Sequence, residues 1–117
     1  NQVFRDVFTL AANDPGFTLV RAQRTGGGGA TCTATTTGTV VTTTPIGLPS
    51  YAGGAAGGTV VITCPAITLA NNQTESLEVE IIPNNGAARS LSNVADFFYD
   101  ANTDGTPNAW GPTIGFS

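Results

Sequence analysis

The chain has 117 residues, a formal net charge of −4 and only 10% charged residues. This length suffices for one domain with one core, and no apolar run is long enough to cross a bilayer as a helix. The acidic balance and the scattered arginines exclude a phosphate-binding surface, so we expect no nucleic acid partner and no membrane insertion. Histidine and lysine are absent, which removes the usual catalytic triads and Schiff-base chemistry, and we expect no enzymatic activity.

Period-two alternation between glycine, proline and asparagine punctuation predicts an all-β chain, since no segment shows convincing helical periodicity. Strands this closely spaced predict a β-sandwich. The predicted strands are Val3 to Leu10, Phe17 to Gln23, Ala30 to Thr37, Thr39 to Thr43, Thr59 to Cys64, Ser76 to Ile82, Leu91 to Tyr99, and a weaker one near Ala109 to Phe116. Residues 45–58 have no period and many glycines, which predicts a long loop.

The first predicted strand is strongly apolar for a terminal segment. We expect residues 1–10 to be tied down by pairing, because terminal segments are otherwise disordered. Two alternatives are open: this is the first strand of its own sandwich, or it adds to the open edge of a neighbouring subunit and propagates a fibre. The chain then divides into residues 1–15, the terminal strand, and residues 16–117, the sandwich. The candidate self-association residues are Val3, Phe4, Val7, Phe8 and Leu10.

The two cysteines, Cys32 and Cys64, lie in threonine-rich strands without metal-site spacing or a redox motif. A pair of this kind in a small domain predicts one structural disulfide made in an oxidising compartment, in preference to two buried thiols. The chain starts at Asn1 rather than at methionine, which suggests a secreted protein whose signal peptide has been removed, although an excised fragment would look the same. We therefore expect an extracellular or cell-surface location.

Residues 76–82 give the clearest strand, with Leu77, Val79 and Ile81 on one face and Glu78 and Glu80 on the other. Two carboxylates on one face are compatible with acid and base catalysis, but nothing nearby predicts a substrate cleft. We interpret them as solvated charges that deter edge aggregation.

Two sequence features are compatible with attached sugars. Asn72 begins an N-glycosylation acceptor, Asn-Gln-Thr, and the threonine runs at residues 35–37 and 42–44 are candidates for O-linked sugars. The sequon is short enough to occur by chance.

The segment after residue 99 resembles the first half of a calcium-binding loop. Oxygen-bearing side chains alternate and a glycine follows, which is how such a loop delivers hard ligands to the ion. Gly111 occupies the position where a bidentate glutamate is expected, so Asp96 or a more distant residue would have to complete the shell. The alternative is a polar turn that binds nothing. The candidate ligands are Asp100, Asn102, Asp104, Thr106 and Asn108.

The aromatic residues near the end of the chain have two interpretations. Phe97, Phe98 and Tyr99, with Trp110 and Phe116, form either part of the core or a platform for carbohydrate, and we favour core packing. Three consecutive aromatics on a strand project to both faces, so at least one is exposed or covered by something outside the sandwich.

Several short segments, in their order along the chain, resemble a known family. They are Gly16-Phe17-Thr18-Leu19-Val20, Cys32-Thr33, Val61-Ile62-Thr63-Cys64, Ile67-Thr68-Leu69, Leu77-Glu78-Val79-Glu80-Ile81 and Leu91-Ser92-Asn93-Val94-Ala95. In this order they resemble the conserved repeat domain of bacterial and archaeal cell-surface proteins, domain of unknown function eleven, over residues 16–98. The resemblance implies an immunoglobulin-like β-sandwich.

The chain departs from that family at two places. It starts too late to supply the family's usual opening strand, so we expect one sandwich edge to be missing. Its cysteines are also further apart, because residues 37–58 form a longer insertion. The leading hypothesis is a structural, self-associating subunit of an extracellular filament, pilus-like fibre or surface layer, with itself as partner. The alternative is an adhesive or carbohydrate-binding module that recognises cell-surface glycans through the 45–58 loop, including Tyr51, and the aromatics.

Overall fold

The computed structural model describes residues 2–24, 31–64, 76–85, 91–99 and 113–116, which form nine β-strands and no helix. No helix in these ranges is long and apolar enough to cross a membrane. The strands are β1 (Gln2–Leu10), β2 (Phe17–Arg24), β3 (Thr33–Thr37), β4 (Thr39–Thr43), β5 (Pro49–Gly53), β6 (Gly58–Thr63), β7 (Leu77–Pro83), β8 (Ser92–Tyr99) and β9 (Thr113–Phe116).

The strands form two antiparallel sheets that enclose one core. The first sheet has five strands in the order β3-β6-β1-β8-β9, and the second has four in the order β4-β5-β2-β7. The predicted all-β fold is therefore confirmed, and the two-sheet arrangement is that of a sandwich.

Strand β1 lies at the centre of the first sheet, paired with β6 on one side and β8 on the other. Val7, for example, is opposite Val61 in β6 and Val94 in β8. Of the two alternatives for the first strand, the structure shows pairing within its own chain. Residues 2–10 belong to the same sandwich as the strands that follow. The missing sandwich edge that the resemblance implied stays a prediction.

The core is built from side chains of both sheets. Phe8 packs on Phe17 with ring centroids 4.6 Å apart, and Phe17 packs on Tyr51 at 5.6 Å. Val60 and Ile62, on the inner face of β6, are fully buried beneath these rings. The predicted alternation in β7 is confirmed, since Leu77, Val79 and Ile81 pack against this cluster while Glu80 and Ile82 are exposed.

The prediction of a long loop after β4 was wrong. Residues 45–58 do not form a single long loop, because β5 lies inside this segment and pairs with both β4 and β2. Gly53 in β5 allows another part of the backbone to approach closely, and it does not form a turn. A Cβ on Gly53 would lie 2.0 Å from the carbonyl oxygen of Ala11, so no larger residue fits without displacing the backbone.

The chain crosses from the second sheet to the first just before β3. Thr31 forms an isolated bridge with Gln23, and the N–H of Cys32 donates to the carbonyl of Ala22 at 2.9 Å. Strand β3 therefore begins at Thr33, three residues after the predicted start, because the preceding residues pair with β2.

Candidate functional site: an uncharged side of the sandwich

The charged residues are confined to two parts of the sequence. The 50 residues from Thr25 to Thr74 contain no aspartate, glutamate, lysine or arginine. This run includes all of β3, β4, β5 and β6.

The topology brings these four strands together on one side of the molecule. Strands β3 and β6 form one end of the first sheet, and β4 and β5 form one end of the second. Gly38 alone separates β3 from β4, so these two strands follow each other end to end, and each is the edge strand of its sheet among the described residues. We call this region, formed by β3 to β6, the uncharged side.

Strand β4 is the more apolar of these two edges. Val40 and Val41 are 53% and 52% exposed although they point to opposite faces of the sheet, and Ile46 in the following turn is 76% exposed. Protein sheets usually protect an edge with a charge, a proline or a bulge. Strand β4 has none of these, and it pairs with β5 in unbroken register. It is therefore an unprotected template for another strand.

The opposite edge of the same sheet is protected by charge. Arg21 on β2 forms ion pairs with Glu78 and Glu80 on β7, the second with its Nη2 atom 3.2 Å from Oε2. All three side chains are about half exposed. The two glutamates are thus exposed surface charges, as the sequence predicted, and the structure also pairs them with Arg21.

The predicted disulfide between Cys32 and Cys64 is confirmed. Both residues are buried, at 8% and 1% exposure, and they lie next to the cross-strand pair formed by Thr33 and Thr63. The bond joins the start of β3 to the end of β6 and so closes the loop that contains the whole uncharged side. A disulfide of this kind indicates a non-reducing environment.

Two charged side chains occupy the interior beside this region. Asp6 on β1 is 6% exposed, and Asn93 Nδ2 donates to its Oδ1 atom. Burial raises the pKa of Asp6, and the bonds from Asn93 and the backbone of Val7 lower it by less. Arg24 is 3% exposed, and its Nε and Nη1 atoms have no hydrogen-bond partner within the part of the chain that the structure describes.

A shallow groove of about 250 Å³ borders the uncharged side. It lies between β2, from Leu19 to Gln23, and the Leu48–Pro49 segment, with Thr31 and Cys32 at its end. This volume is below the roughly 300 to 1,000 Å³ typical of small-molecule sites.

The candidate self-association residues are held within their own sandwich. Val3, Phe8 and Leu10 are buried, and Phe4 packs against the core. These four are unavailable to a partner while β1 keeps its place, whereas Val7 is only partly buried. The role of all five in self-association stays a prediction.

The glycan-binding alternative loses the aromatic side chain that it took from the 45–58 loop. Tyr51 is 6% exposed and packs on Phe17, and burial raises the pKa of its hydroxyl. Phe97, Phe98 and Tyr99 belong to β8, and Phe116 belongs to β9. Trp110 lies outside the described residues.

The candidate calcium ligands, residues 100–108, and the acceptor Asn72 also lie outside the described residues. Within the described ranges, no three histidine, cysteine, aspartate or glutamate side chains are grouped to hold a metal ion. Calcium binding and glycosylation at these positions stay predictions.

The sequence reasoning missed the exposed valines of β4. It predicted the strand itself with correct bounds, Thr39–Thr43, but treated its residues only as part of a threonine-rich insertion. The signal that was available is the uncharged run between Arg24 and Glu75.

Comparison with known proteins gave no family assignment: no protein-family model, curated protein or solved structure matched the chain. The resemblance to the surface-protein repeat domain therefore stays a prediction from the sequence.

Proposed function

We propose that this protein is a structural, self-associating subunit of an extracellular filament, pilus-like fibre or surface layer, and that it assembles by β-strand addition at the uncharged side. The observation that carries the proposal is that β3 and β4, each an edge strand of its sheet among the described residues, lie in a stretch of sequence without a charged residue. Charged side chains are one means by which proteins protect such edges, and their absence here favours contact with another strand.

The disulfide supports both the location and the role. It fits an oxidising, extracellular compartment, and it holds β3 and β6 in register at the point where the chain changes sheets. An edge that receives a neighbouring strand must keep its shape without that strand, and this cross-link supplies the rigidity.

The structure also changes the expected mode of assembly. Exchange of β1 between subunits would remove the central strand of the first sheet together with core residues such as Phe8 and Leu10. Addition at a free edge leaves the core intact, so we favour edge addition over exchange of β1.

The proposal predicts filaments or sheets in negative-stain micrographs of the purified protein at native salt. Monodisperse particles at high concentration would contradict it.

A variant with β1 locked to β6 by a disulfide separates edge addition from exchange of β1. Thr9 and Thr59 are directly opposite on β1 and β6. In the same register, the N–H of Cys64 donates to the carbonyl of Phe4, so these two residues form a hydrogen-bonded pair. Hydrogen-bonded and non-hydrogen-bonded pairs alternate along two antiparallel strands. Thr9 and Thr59 therefore form a non-hydrogen-bonded pair, with Cα atoms about 4.5 Å apart. This spacing suits a disulfide. The T9C/T59C variant, with β1 locked in place, should still assemble; loss of assembly in the locked protein alone would show that β1 is exchanged.

A further inference from the structure

Among the described strands, none pairs with the outer side of β4, whose backbone therefore presents an evenly spaced row of unpaired groups there. In the β4–β5 hairpin, Gly54 N–H donates to the carbonyl of Gly38, and Thr44 N–H donates to the carbonyl of Leu48. Even-numbered residues of β4 therefore bond to β5, because backbone groups of alternate residues point to the same side of a strand. The N–H and C=O groups of Thr39, Val41 and Thr43 consequently point to the free edge.

This row is symmetric about Val41. A second β4 that runs antiparallel, with Val41 opposite Val41, places Thr39 opposite Thr43 and Thr43 opposite Thr39. Every outward-pointing backbone group of both strands then has a partner. A shift of the register by two residues would leave some of these groups unpaired.

The side chains suit the same arrangement. Val41 shares the inner face with Tyr51, its neighbour on β5, yet it is half exposed. In the symmetric pair, the two Val41 side chains cover each other, and Val40 of each strand lies opposite Thr42 of the other. The two strands carry no charge, so no like charges meet across the axis.

We infer that β4 pairs antiparallel with β4 of a second copy of this chain about a two-fold axis at Val41, which joins two four-stranded sheets into one of eight. This inference rests on the proposed self-association and names its partner and register. A closed two-fold contact joins only two copies, so growth of a filament uses a further contact.

The interface between the two β4 strands is small. Two five-residue strands bury less than the roughly 1,000 Å² of a stable stand-alone interface, so the isolated contact is transient and gains strength from multiple contacts in an assembly. A covalent trap therefore tests it better than an affinity measurement.

The test is disulfide trapping of the full chain carrying V41C. Hydrogen-bonded antiparallel partners have Cα atoms about 5.5 Å apart, within the range of a disulfide. Mild oxidation should convert V41C to a dimer, which mass spectrometry identifies by a peptide cross-linked through the introduced thiols of the two copies. The control is I82C, at a side chain of similar exposure, 54%, on the opposite edge of the same sheet. It should give only the background of random collision.

A second substitution tests the register. T43K in the V41C background places a lysine opposite Thr39 and should abolish the dimer, whereas T36K on β3 should leave it unchanged. Equal trapping of V41C and I82C, or trapping that T43K does not reduce, would overturn the inference; thermal melting of each variant confirms that it is folded.

Micrographs of the same variants distinguish the two proposals. Filaments from a V41C protein that gives no dimer cross-linked at position 41 would overturn the β4 contact and leave the proposed function standing. Specific dimers without filaments at any concentration would support the β4 contact and overturn the filament.

Discussion

Asp6 is a carboxylate on the inner face of a central strand. Its β1 neighbours on that face, Phe4 and Phe8, pack in the core, and its recorded side-chain partner is Asn93 on β8. Burial disfavours the ionised form, and this effect outweighs the hydrogen bonds and raises the pKa. The pair also specifies register, because a slip of β1 along β8 would leave the carboxylate without the amide.

We predict that D6N removes a pH-dependent loss of stability. The pKa of Asp6 is near 3.8 in the unfolded chain and higher in the folded protein. Below pH 3.8 the carboxyl is protonated in both states and does not reduce the unfolding free energy, which then falls as pH rises through the folded pKa. The advantage of D6N over the wild type should therefore grow above about pH 4, by about 1.4 kcal/mol for each unit of pKa elevation. Urea unfolding at pH 3 to 7 measures it.

The control for this prediction is E80Q, which neutralises an exposed carboxylate paired with Arg21. It should not gain stability with rising pH. A D6N advantage that is constant or shrinks as pH rises would show that Asp6 is not penalised by burial.

The inward orientation of Asp6 and Arg24 could not be predicted from the sequence. Apolar residues occur on both sides of Asp6, at Phe4 and at Val7, so the pattern does not identify the inner face of β1. In β2, the register shifts between Leu19 and Arg21, and this bulge changes which residues face inward beyond it. Sequence alternation alone cannot locate such a shift.

Strands were predictable where polar and apolar side chains contrast. Strand β7 alternates leucine, valine and isoleucine with glutamate, and the predicted Ser76 to Ile82 is one residue from the observed Leu77–Pro83 at each end. Strand β5 was missed because serine, alanine and glycine give no contrast. Its position is set by contacts with distant backbone, at Ala11 and Asp14, that no local pattern contains.

The turn between β1 and β2 has a strict requirement for glycine at residue 16. Gly16 has a φ of +74°, and a Cβ there would lie 1.7 Å from the carbonyl oxygen of Tyr51. Gly47 has a similar φ of +85° but nothing within 4 Å of the same position. Substitution of Gly47 therefore tests the energetic cost of the positive φ alone, whereas substitution of Gly16 adds the steric clash.

We predict that G16A destabilises the protein more than G47A. G47A should cost about 1 to 2 kcal/mol for the left-handed conformation alone. G16A should add about 1 to 3 kcal/mol, because the β2 end and β5 must move apart. Chemical denaturation of both variants measures the difference. Equal losses would mean that the approach of Gly16 to Tyr51 is not a constraint on the fold.

At the scale of the whole molecule, charge and topology divide the sandwich into two sides. The uncharged run is visible in the sequence, but the surface that it forms depends on the strand order. Strand β6 lies between β3 and β1, and β5 lies between β4 and β2. The uncharged strands are therefore neighbours within each sheet, and β3 and β4 are the edge strands among the described residues. Long-range pairing sets this order, and for that reason the candidate site was not predictable from local patterns.

The disulfide ties this uncharged side to the rest of the fold, and we predict that C32A/C64A loses about 3 to 4 kcal/mol of unfolding free energy from the added freedom of the unfolded chain. The two cysteines are 32 residues apart, and the loss is a large share of the roughly 5 to 15 kcal/mol of a typical domain. The control is T33A/T63A, the adjacent cross-strand pair, where Thr33 Oγ1 donates only a long bond of 3.4 Å to the carbonyl of Thr63. Because the control removes no cross-link, it should change the unfolding free energy by about 0.5 kcal/mol or less. Urea unfolding measures this free energy for both variants. A loss in C32A/C64A no larger than in the control would mean that cross-strand pairing alone holds β3 against β6.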